Sequence, residues 1–229
     1  MDLTHSYADA VRQSVRDRYE FIEVRNAAAI LAATNPAEFG EVLDVLDWFA
    51  LKTSDLLTPG GQESALAARL NARFRSQGWR EARVDTLIRL QLRKMPYRPA
   101  GETVPVVVDT ETANEGYLVD NFKGRVALDV EWNAKDGNLD RDIAAYRSLY
   151  DAGLIDGAVM VTRTQEDLRE LGRRLAADAG WTVEAGKKIL GTTTTTNSEK
   201  LRPRMGRGDS AGCPLLAVLI SARTWQATP

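Results

Sequence analysis

The sequence contains very little of what disulfide-linked, zinc-dependent or membrane-spanning proteins need. Among its 229 residues it has one cysteine, Cys213, and one histidine, His5. A single cysteine cannot form an internal disulfide, which fits a reducing compartment, so we expect a cytoplasmic protein. No apolar run approaches the ~18 residues that a membrane helix needs, so we expect no membrane partner. Motifs for zinc catalysis, dinucleotide binding and P-loop hydrolysis are also missing from the sequence.

An excess of charge of one sign is missing too. The formal net charge is −2, so bulk charge does not indicate a nucleic-acid partner, and any DNA-binding surface must come from local clustering. A chain of 229 residues that is 44% hydrophobic and 27% charged suits a compact α/β protein. We predict a single domain over residues 1–229, mainly helical in 1–100 and containing the sheet in 101–229.

Periodic apolar patterns predict an α/β order of elements. Helices are predicted at residues 36–51, 62–77, 139–152 and 166–179. Strands are predicted at residues 19–24, 83–92, 104–108, 126–132, 154–162 and 214–221, the second of them half-buried. The strand–helix–strand unit from 126 to 162 predicts a parallel pair joined by a right-handed crossover. Residues 187–208 are predicted to form a long polar loop.

Acidic residues cluster around the predicted strand 126–132. Asp129 and Glu131 share one face, about 7 Å apart at ~3.3 Å per residue. Asp120 precedes Asp129 by nine positions (129 − 120 = 9), and the Lys123-Gly124 step between them suits a tight turn that would bring Asp120 beside Asp129. Three converging carboxylates repel one another unless a hard cation lies between them, so the pattern predicts a Mg²⁺ site. An edge strand with a solvated acidic face is the alternative.

The segment from Asp120 to Glu131 resembles the active-site hairpin of the BglII/BstYI family of type II restriction endonucleases, within the PD-(D/E)xK nuclease superfamily. Two other stretches agree with this family, and they are Gly78-Trp79-Arg80-Glu81-Ala82-Arg83 and Met205-Gly206-Arg207-Gly208 followed by Pro214-Leu215-Leu216-Ala217-Val218-Leu219-Ile220. The resemblance implies an α/β PD-(D/E)xK restriction-endonuclease-like fold, with a central mixed β-sheet flanked by helices. Residues 101–229 would then hold the catalytic sheet and a C-terminal DNA-recognition region.

The resemblance also implies a function. It indicates Mg²⁺-dependent hydrolysis of double-stranded DNA phosphodiesters at a palindromic site with a GATC centre, by a homodimer that has a cognate DNA methyltransferase as its genetic partner. Asp120, Asp129 and Glu131 would be catalytic, and Asp120, Asp129 and the carbonyl of Val130 would bind the metal. Two alternatives are another nuclease of the superfamily, acting in repair or on modified DNA, and a non-catalytic DNA-binding module.

The chain departs from the family pattern at two positions. Glu131 stands where the superfamily pattern has lysine, although BglII-like enzymes have glutamine there and BamHI-like enzymes glutamate. Asp129 stands where close relatives have glutamate, and the shorter side chain implies a shifted metal position. Lys135 could replace the missing lysine, or it is an ordinary turn lysine. Glu63, near a helix start, could be an additional carboxylate of the site.

Polar and basic residues toward the C-terminus are candidate DNA contacts. Residues 162–165 follow a predicted buried strand, where ligands in open α/β sheets bind. Residues 187–208 are basic and hydroxyl-rich, and such side chains neutralise phosphates or hydrogen-bond to bases. The predicted DNA contacts are Arg163, Thr164, Gln165, Thr194, Asn197, Lys200, Arg202, Arg204 and Arg207. A flexible surface loop over 187–208 is the alternative.

Overall fold

The computed structural model describes residues 2–58 and 64–227. These fall into two compact units. The first comprises Met1–Glu81 and Val119–Pro229, and the second comprises Ala82–Leu118. In the described part of the chain, none of the helices combines the length and apolar composition that a bilayer span requires.

The strands form a seven-stranded sheet in the order β1-β2-β7-β6-β5-β4-β3. The strands are β1 (Leu3–Thr4), β2 (Tyr19–Val24), β3 (Arg80–Lys94), β4 (Val106–Lys123), β5 (Val126–Val130), β6 (Gly157–Arg163) and β7 (Leu215–Ile220). The inner strands β5, β6 and β7 are parallel, whereas the β1–β2, β2–β7 and β4–β5 pairs are antiparallel. The predicted central mixed sheet is therefore confirmed.

The α-helices precede and follow these strands in chain order. They are α1 (Tyr7–Ala10), α2 (Gln13–Arg16), α3 (Ala27–Thr34), α4 (Pro36–Trp48), α5 (Thr53–Leu57), α6 (Ala65–Ser76), α7 (Gly137–Asp151), α8 (Glu166–Asp178), α9 (Val183–Lys187) and α10 (Ser198–Arg207). Short 3₁₀ helices cover Arg98–Ala100 and Ala222–Thr224. Helix α7 links β5 to β6, so the predicted strand–helix–strand unit with its parallel pair is confirmed.

Burial on both faces explains the apolar composition of the inner strands. Every residue of β5, β6 and β7 is buried, as expected for parallel strands that are covered on both sides. On β5, Val126, Leu128 and Val130 belong to the main hydrophobic core, with residues of α4 and α6. Asp129 points to the other face, where it meets Tyr146 of α7. The edge-strand interpretation of this segment is therefore wrong.

Two predictions about chain segments are also wrong. Most of β3 is exposed, whereas the prediction made it half-buried. Strand β4 begins at Val106, within the predicted strand 104–108, and continues through the polar residues that follow. The predicted loop 187–208 contains α10, whose Asn197 side chain accepts hydrogen bonds from the backbone N–H groups of Glu199 and Lys200. Pro203 and the scarcity of apolar residues hid this helix, which buries only Leu201 and Met205.

The second unit is a β-hairpin that we call the arm, defined as Ala82–Leu118. It comprises the outer parts of β3 and β4 together with the turn between them, which includes the short 3₁₀ helix. Side-chain hydrogen bonds connect its two strands, from Arg89 to Glu111 (2.5 Å) and from Gln91 to Asp109 (3.0 Å). The arm is therefore a ribbon with its own cross-strand contacts.

Candidate active site

The candidate site begins at the hairpin formed by β4 and β5. Lys123 pairs with Val126, so the turn consists of Gly124 and Arg125. Gly124 has φ +55°, a left-handed conformation that favours glycine. A Cβ atom at this position would also lie 2.6 Å from Oε1 of Glu38. The predicted tight turn is therefore confirmed, and it fixes the register of the two strands.

This register brings Asp120 and Asp129 together, as predicted. Their contacts are reciprocal, because each carboxylate accepts a hydrogen bond from the backbone of the opposite strand. The backbone N–H of Asp120 donates to Oδ1 of Asp129 (2.7 Å), and the N–H of Val130 donates to Oδ2 of Asp120 (3.3 Å). The paired residues of β4 and β5 end here with Asn121 and Leu128. Beyond that pair, the two strands are connected by the side-chain contacts of Asp120 and Asp129.

Asp129 is the most enclosed member of this pair. Only 5% of its surface is exposed, and the Tyr146 hydroxyl donates to its Oδ2 atom (2.6 Å). Burial, together with the negative charges of Asp120 and Asp142, raises the pKa of Asp129 to about 7. Burial likewise raises the pKa of Tyr146 well above its usual value, so this hydroxyl remains a hydrogen-bond donor.

Glu131 lies next to a carboxylate that the sequence analysis did not identify, Asp142 of α7. Burial, followed by the charge of Asp142, raises the pKa of Glu131 to about 9. Arg141 lies 2.9 Å from Oδ1 of Asp142 and 3.9 Å from Oε1 of Glu131. The buried Oε2 of Glu131 and Oδ2 of Asp142 find no hydrogen-bond donor among the described residues. We call Asp120, Asp129, Glu131 and Asp142 the acidic cluster.

The arrangement of this cluster differs in part from the predicted one. Within residues 2–58 and 64–227, no three His, Cys, Asp or Glu side chains are grouped so that they could hold a metal ion by themselves. Tyr146 and the Asp120 backbone hold the carboxylate of Asp129, while Arg141 approaches Glu131 from α7. The predicted convergence of all three carboxylates is therefore wrong for the chain alone, although Asp120 and Asp129 do meet.

The donor chemistry of the acidic cluster nevertheless fits Mg²⁺. This ion prefers oxygen ligands, and it usually binds through one or two carboxylates together with substrate phosphate oxygens, not in a cage made by protein alone. Two buried carboxylate oxygens have no donor among the described residues, and burial and neighbouring carboxylates raise the pKa values of Asp129 and Glu131, as expected where negative charge is poorly compensated. Asp120 and Asp129 would hold such a cation, beside Glu131.

Lys135 and Glu63 were the two supplementary candidates for this site. Lys135 is exposed and forms an isolated bridge with Thr195, as expected of a residue in a connecting segment. Glu63 lies outside the described residues. For Val130, the structure shows its N–H bound to Asp120, and the role of its carbonyl as a metal ligand stays a prediction.

The basic C-terminal segment adjoins the acidic cluster. The backbone N–H of Asp136 donates to the carbonyl of Thr194 (2.9 Å), and the N–H of Thr196 donates to the carbonyl of Ala134 (2.8 Å). The Thr196 hydroxyl also donates to the backbone carbonyl of Glu131 (3.1 Å). Helix α10 follows directly, so its N-terminus begins beside the end of the strand that carries Asp129.

Three of the predicted DNA contacts have structural roles in this chain. Arg163 is completely buried, and its guanidinium donates to Asn133, Gln165, Thr195 and the carbonyl of Thr164. Burial lowers the pKa of Arg163 to about 10. The Thr164 hydroxyl donates to the backbone carbonyl of Ile220 in β7 (3.1 Å). The Gln165 side-chain amide donates to the backbone carbonyl of Leu190 (3.2 Å). A DNA contact by any of these side chains would require these bonds to break.

The other predicted DNA contacts lie on or just before α10. Asn197 is buried and caps this helix, and Lys200 is partly exposed. Arg204 forms a two-point ion pair with Asp140 of α7 (2.7 and 2.8 Å), which ties α10 to the helix that carries Asp142. The exposed members of the predicted set are Thr194, Arg202 and Arg207, and Arg207 is paired with Asp209.

Two residues of the site were not identified as functional from the sequence. Tyr146 was assigned to the core and Asp142 was not singled out. A signal for Asp142 was nevertheless present, because it falls within the apolar stripe of α7 formed by Leu139, Ile143 and Tyr146. An acidic residue within a buried helical stripe needs a partner or an ion, and that requirement marks it as a candidate.

Comparison with known proteins places this geometry in a family. The family model for the restriction endonucleases BglII/BglIII matches residues 19–220 of the chain. No curated protein matches the chain at a significant level. The matched region includes the whole β4–β5 hairpin, α7, β6, α10 and β7. The chain therefore belongs to the BglII/BglIII restriction endonuclease family, whose members are site-specific deoxyribonucleases that cleave double-stranded DNA.

Proposed function

We propose that this enzyme uses Mg²⁺ to cleave a palindromic DNA site with a GATC centre. The observation that carries the proposal is the reciprocal contact between Asp120 and Asp129, on a buried strand that also bears Glu131. The GATC centre comes from the family resemblance alone. We further propose a homodimer, because a two-fold symmetric enzyme matches a palindromic site, and a cognate DNA methyltransferase in the same cytoplasm.

The acidic cluster would supply both metal ligands and a proton acceptor. Asp120 and Asp129 bind the cation, with the carbonyl of Val130 as a further ligand. Such a cation, when bound, would polarise the phosphodiester and make a nearby water easier to deprotonate. Oε2 of Glu131 has no donor among the described residues, so it is available to orient the attacking water and accept its proton. The 3′ oxygen of the cleaved bond is the leaving group.

Two other residues would prepare Glu131 and Asp129 for these roles. Burial and the charge of Asp142 raise the pKa of Glu131 in the chain alone, and a bound cation would offset the local negative charge, so that Glu131 ionises and can accept a proton. The Tyr146 hydroxyl fixes one oxygen of Asp129, so the other faces the backbone of Asp120. Both therefore act as positioning residues rather than as groups that touch the DNA.

DNA would be held by the exposed cations on and next to α10. Arg202, Arg207 and Lys200 can neutralise phosphates, and Thr194 can hydrogen-bond to them. This helix begins where the acidic strand ends, so a DNA backbone bound along α10 would pass the acidic cluster. We propose that Asn197 and Arg204 act indirectly, by capping α10 and by fixing it to α7. We also propose that residues 1–229 form a single endonuclease domain.

Digestion of plasmid DNA of known sequence tests this proposal. With Mg²⁺ we expect discrete fragments whose mapped ends share a palindrome containing GATC, and with a chelator we expect none. Asp120→Ala should abolish cleavage and retain DNA binding, whereas exposed Asp17→Ala should change neither. Cleavage only at lesions or free ends would favour a repair nuclease. DNA binding without any Mg²⁺-dependent cleavage by the unaltered chain would indicate a non-catalytic module.

A further inference from the structure

Arg141 of α7 is a basic side chain that contacts two members of the acidic cluster. Its Nε and Nη2 atoms each lie 2.9 Å from Oδ1 of Asp142, and Nη2 lies 3.9 Å from Oε1 of Glu131. Both acidic residues are more than nine-tenths buried, whereas the arginine side chain is 61% exposed. The guanidinium therefore lies between these buried carboxylates and solvent.

This contact is less complete than another arginine–aspartate pair of the same chain. The guanidinium of Arg69 donates to both oxygens of Asp55 (2.7 and 2.8 Å), and two-point contacts of this kind are the strong form of such pairs. The side chains of Asp55 and Asp142 are equally buried, at 2% exposed. Arg141 nevertheless reaches only one oxygen of Asp142, and the other, Oδ2, has no donor among the described residues.

The position of Arg141 on its helix explains the incomplete contact. Arg141 and Asp142 are adjacent in α7, and adjacent residues on a helix point in different directions. The long arginine side chain must therefore bend back across the helix surface to reach the carboxylate. Since most of this side chain is exposed, it can move into water without leaving a cavity in the core. Charge, rather than packing, holds it in place.

We propose that Arg141 is a resident counter-ion of the acidic cluster and that a divalent cation displaces it. The inference rests on the proposed use of Mg²⁺. Oε2 of Glu131 and Oδ2 of Asp142 are buried acceptors that the guanidinium leaves without a donor, so the cluster can accommodate more positive charge than Arg141 supplies. A divalent cation and a guanidinium about 5 Å apart repel each other enough to change an affinity about tenfold, even with water-like screening.

This competition weakens cation binding to the enzyme without DNA. The cation must replace a positive charge that is already present, so part of its attraction to the carboxylates is lost. DNA favours the exchange in two ways, because its phosphates supply oxygen ligands to Mg²⁺ and attract the released guanidinium. Arg141 therefore acts as a positioning residue that compensates the buried carboxylates until cation and DNA are both bound.

A purely structural role for Arg141 predicts an effect of the opposite sign. If this side chain only held Glu131 and Asp142 in place, its removal would loosen both carboxylates and weaken Mg²⁺ binding. If it competes with the cation, its removal strengthens Mg²⁺ binding. The direction of the change in affinity therefore separates the two roles.

Calorimetric titration with Mg²⁺ in the absence of DNA tests the proposal. We expect Arg141→Gln to bind Mg²⁺ at least about fivefold more tightly than the unaltered chain. Arg141→Met, which also removes the charge, should do the same and provides a second variant if the first folds poorly. Arg141→Lys keeps the charge and should change the affinity less than about threefold. Arg147→Gln, an exposed arginine on the same helix, is the matched control and should change nothing.

Cleavage at varied Mg²⁺ gives a second measurement. The Mg²⁺ concentration for half-maximal cleavage should fall in Arg141→Gln by a factor similar to that for binding. The rate at saturating Mg²⁺ should change less than about threefold, because the counter-ion has already left the loaded site. A loss of rate at saturation without a change in Mg²⁺ requirement would contradict the proposal.

The binding results are separable from the endonuclease function. Unchanged or weaker Mg²⁺ affinity in both neutral variants overturns the counter-ion role, and so does a failure of every variant to bind Mg²⁺ without DNA. Neither result concerns cleavage by the unaltered chain, which tests the proposed function. Tighter Mg²⁺ binding by Arg141→Gln, with no DNA cleavage by the unaltered chain, supports the counter-ion role and counts against the proposed function only.

Discussion

At the residue scale, the central feature is that carboxylates lie where water cannot stabilise their charge. Asp129 and Glu131 are both more than nine-tenths buried, and Asp142 is 2% exposed. Burial of an ionised carboxylate is costly unless a cation or several donors compensate it. Arg141 contacts Glu131 and Asp142, and its own side chain is 61% exposed. We therefore propose that the acidic cluster binds a divalent cation together with DNA.

Tyr146→Phe tests the contact that holds Asp129. Removal of the hydroxyl leaves a buried carboxylate oxygen without its donor, so we expect the free energy of unfolding to fall by about 1–3 kcal/mol. We also expect cleavage to slow and the Mg²⁺ concentration for half-maximal cleavage to rise. Urea denaturation and cleavage assays at varied Mg²⁺ measure these effects. Tyr150→Phe, on the same helix with its ring beside Gly212, should behave like the unaltered enzyme.

Asp142→Asn tests whether Asp142 tunes Glu131. Substitution of a residue that supports the ligands of a metal site typically costs about 10–100-fold in metal affinity or activity, and we expect a loss of that size here. Stability of the chelated protein near pH 8 should not decrease, because the substitution removes a buried negative charge. Asp151→Asn at the exposed end of α7 is the control. Full activity of Asp142→Asn would show that Glu131 does not depend on it.

Sequence alone predicted that Asp120 and Asp129 meet, because strand alternation and the Lys123-Gly124 turn are local signals. It could not predict Asp142, whose role depends on the angle at which α7 packs on β5. Arg163 illustrates the opposite error. Its position at the end of a strand predicted a ligand contact, whereas long-range contacts from Asn133 and Thr195 bury it. Side-chain placement of this kind depends on tertiary packing, which periodicity does not report.

At the scale of elements, α10 connects the basic segment to the acidic cluster. Its first residues follow the bridge between Lys135 and Thr195, and its last turn is fixed to α7 through Arg204 and Asp140. These two attachments hold the exposed cations at a constant distance from β5. The helix could not be predicted, because Pro203 normally interrupts helices and the apolar period is short. In contrast, β5, α7 and β6 were predicted in the correct order, since their apolar patterns are regular.

Arg202→Ala tests the DNA-binding role of α10. Loss of one phosphate contact should weaken binding by a similar factor for specific and nonspecific DNA, and it should lower the slope of log affinity against log salt by about 1. Binding titrations at several salt concentrations measure this slope. Arg147→Ala removes an exposed arginine that pairs with Asp151 on α7, and it should leave the slope unchanged. Equal slopes for both variants would place DNA elsewhere.

At the scale of the whole molecule, the acidic cluster should make stability depend on pH when no divalent cation is present. The pKa of Asp129 is raised from 3.8 to about 7 and that of Glu131 from 4.5 to about 9. The folded state therefore binds these protons more tightly than the unfolded state does. This contribution to stability is fully present below about pH 4 and is lost as the pH rises through about 7 and about 9.

Thermal melting in chelator at pH 6 and pH 9 measures this effect. We expect the melting temperature to be lower at pH 9, and we expect Mg²⁺ to reduce the difference, because a bound cation stabilises the ionised carboxylates. Glu184→Gln removes an exposed carboxylate on α9 and should leave the pH dependence unchanged. If Mg²⁺ does not alter the melting temperature at pH 9 even when DNA is added, the acidic cluster does not bind it.

The sequence predicted the class and central topology of the whole chain, but not the arm. Leu87 and Val107 are apolar residues that strand alternation places on the same face of the arm as Arg89 and Asp109, so the pattern along β3 and β4 is imperfect and gave no clear sign of an exposed ribbon. The pattern of Val84, Thr86 and Ile88 predicted a half-buried strand, because apolar alternation normally means burial within the same chain. In an oligomer the same pattern can be satisfied by another copy.

The two-residue turn at Gly124 and Arg125 has a consequence for chain length. Strand side chains alternate with a period of two, so an extra residue in this turn that shifted the register by one position would move Asp120 to the opposite face relative to β5. The hydrophobic residues around it would be displaced in the same way. Loop insertions are usually tolerated at a surface turn, yet here an added glycine that shifted the register would break the reciprocal contact between Asp120 and Asp129. The length of this turn and the positions of these two aspartates are therefore linked.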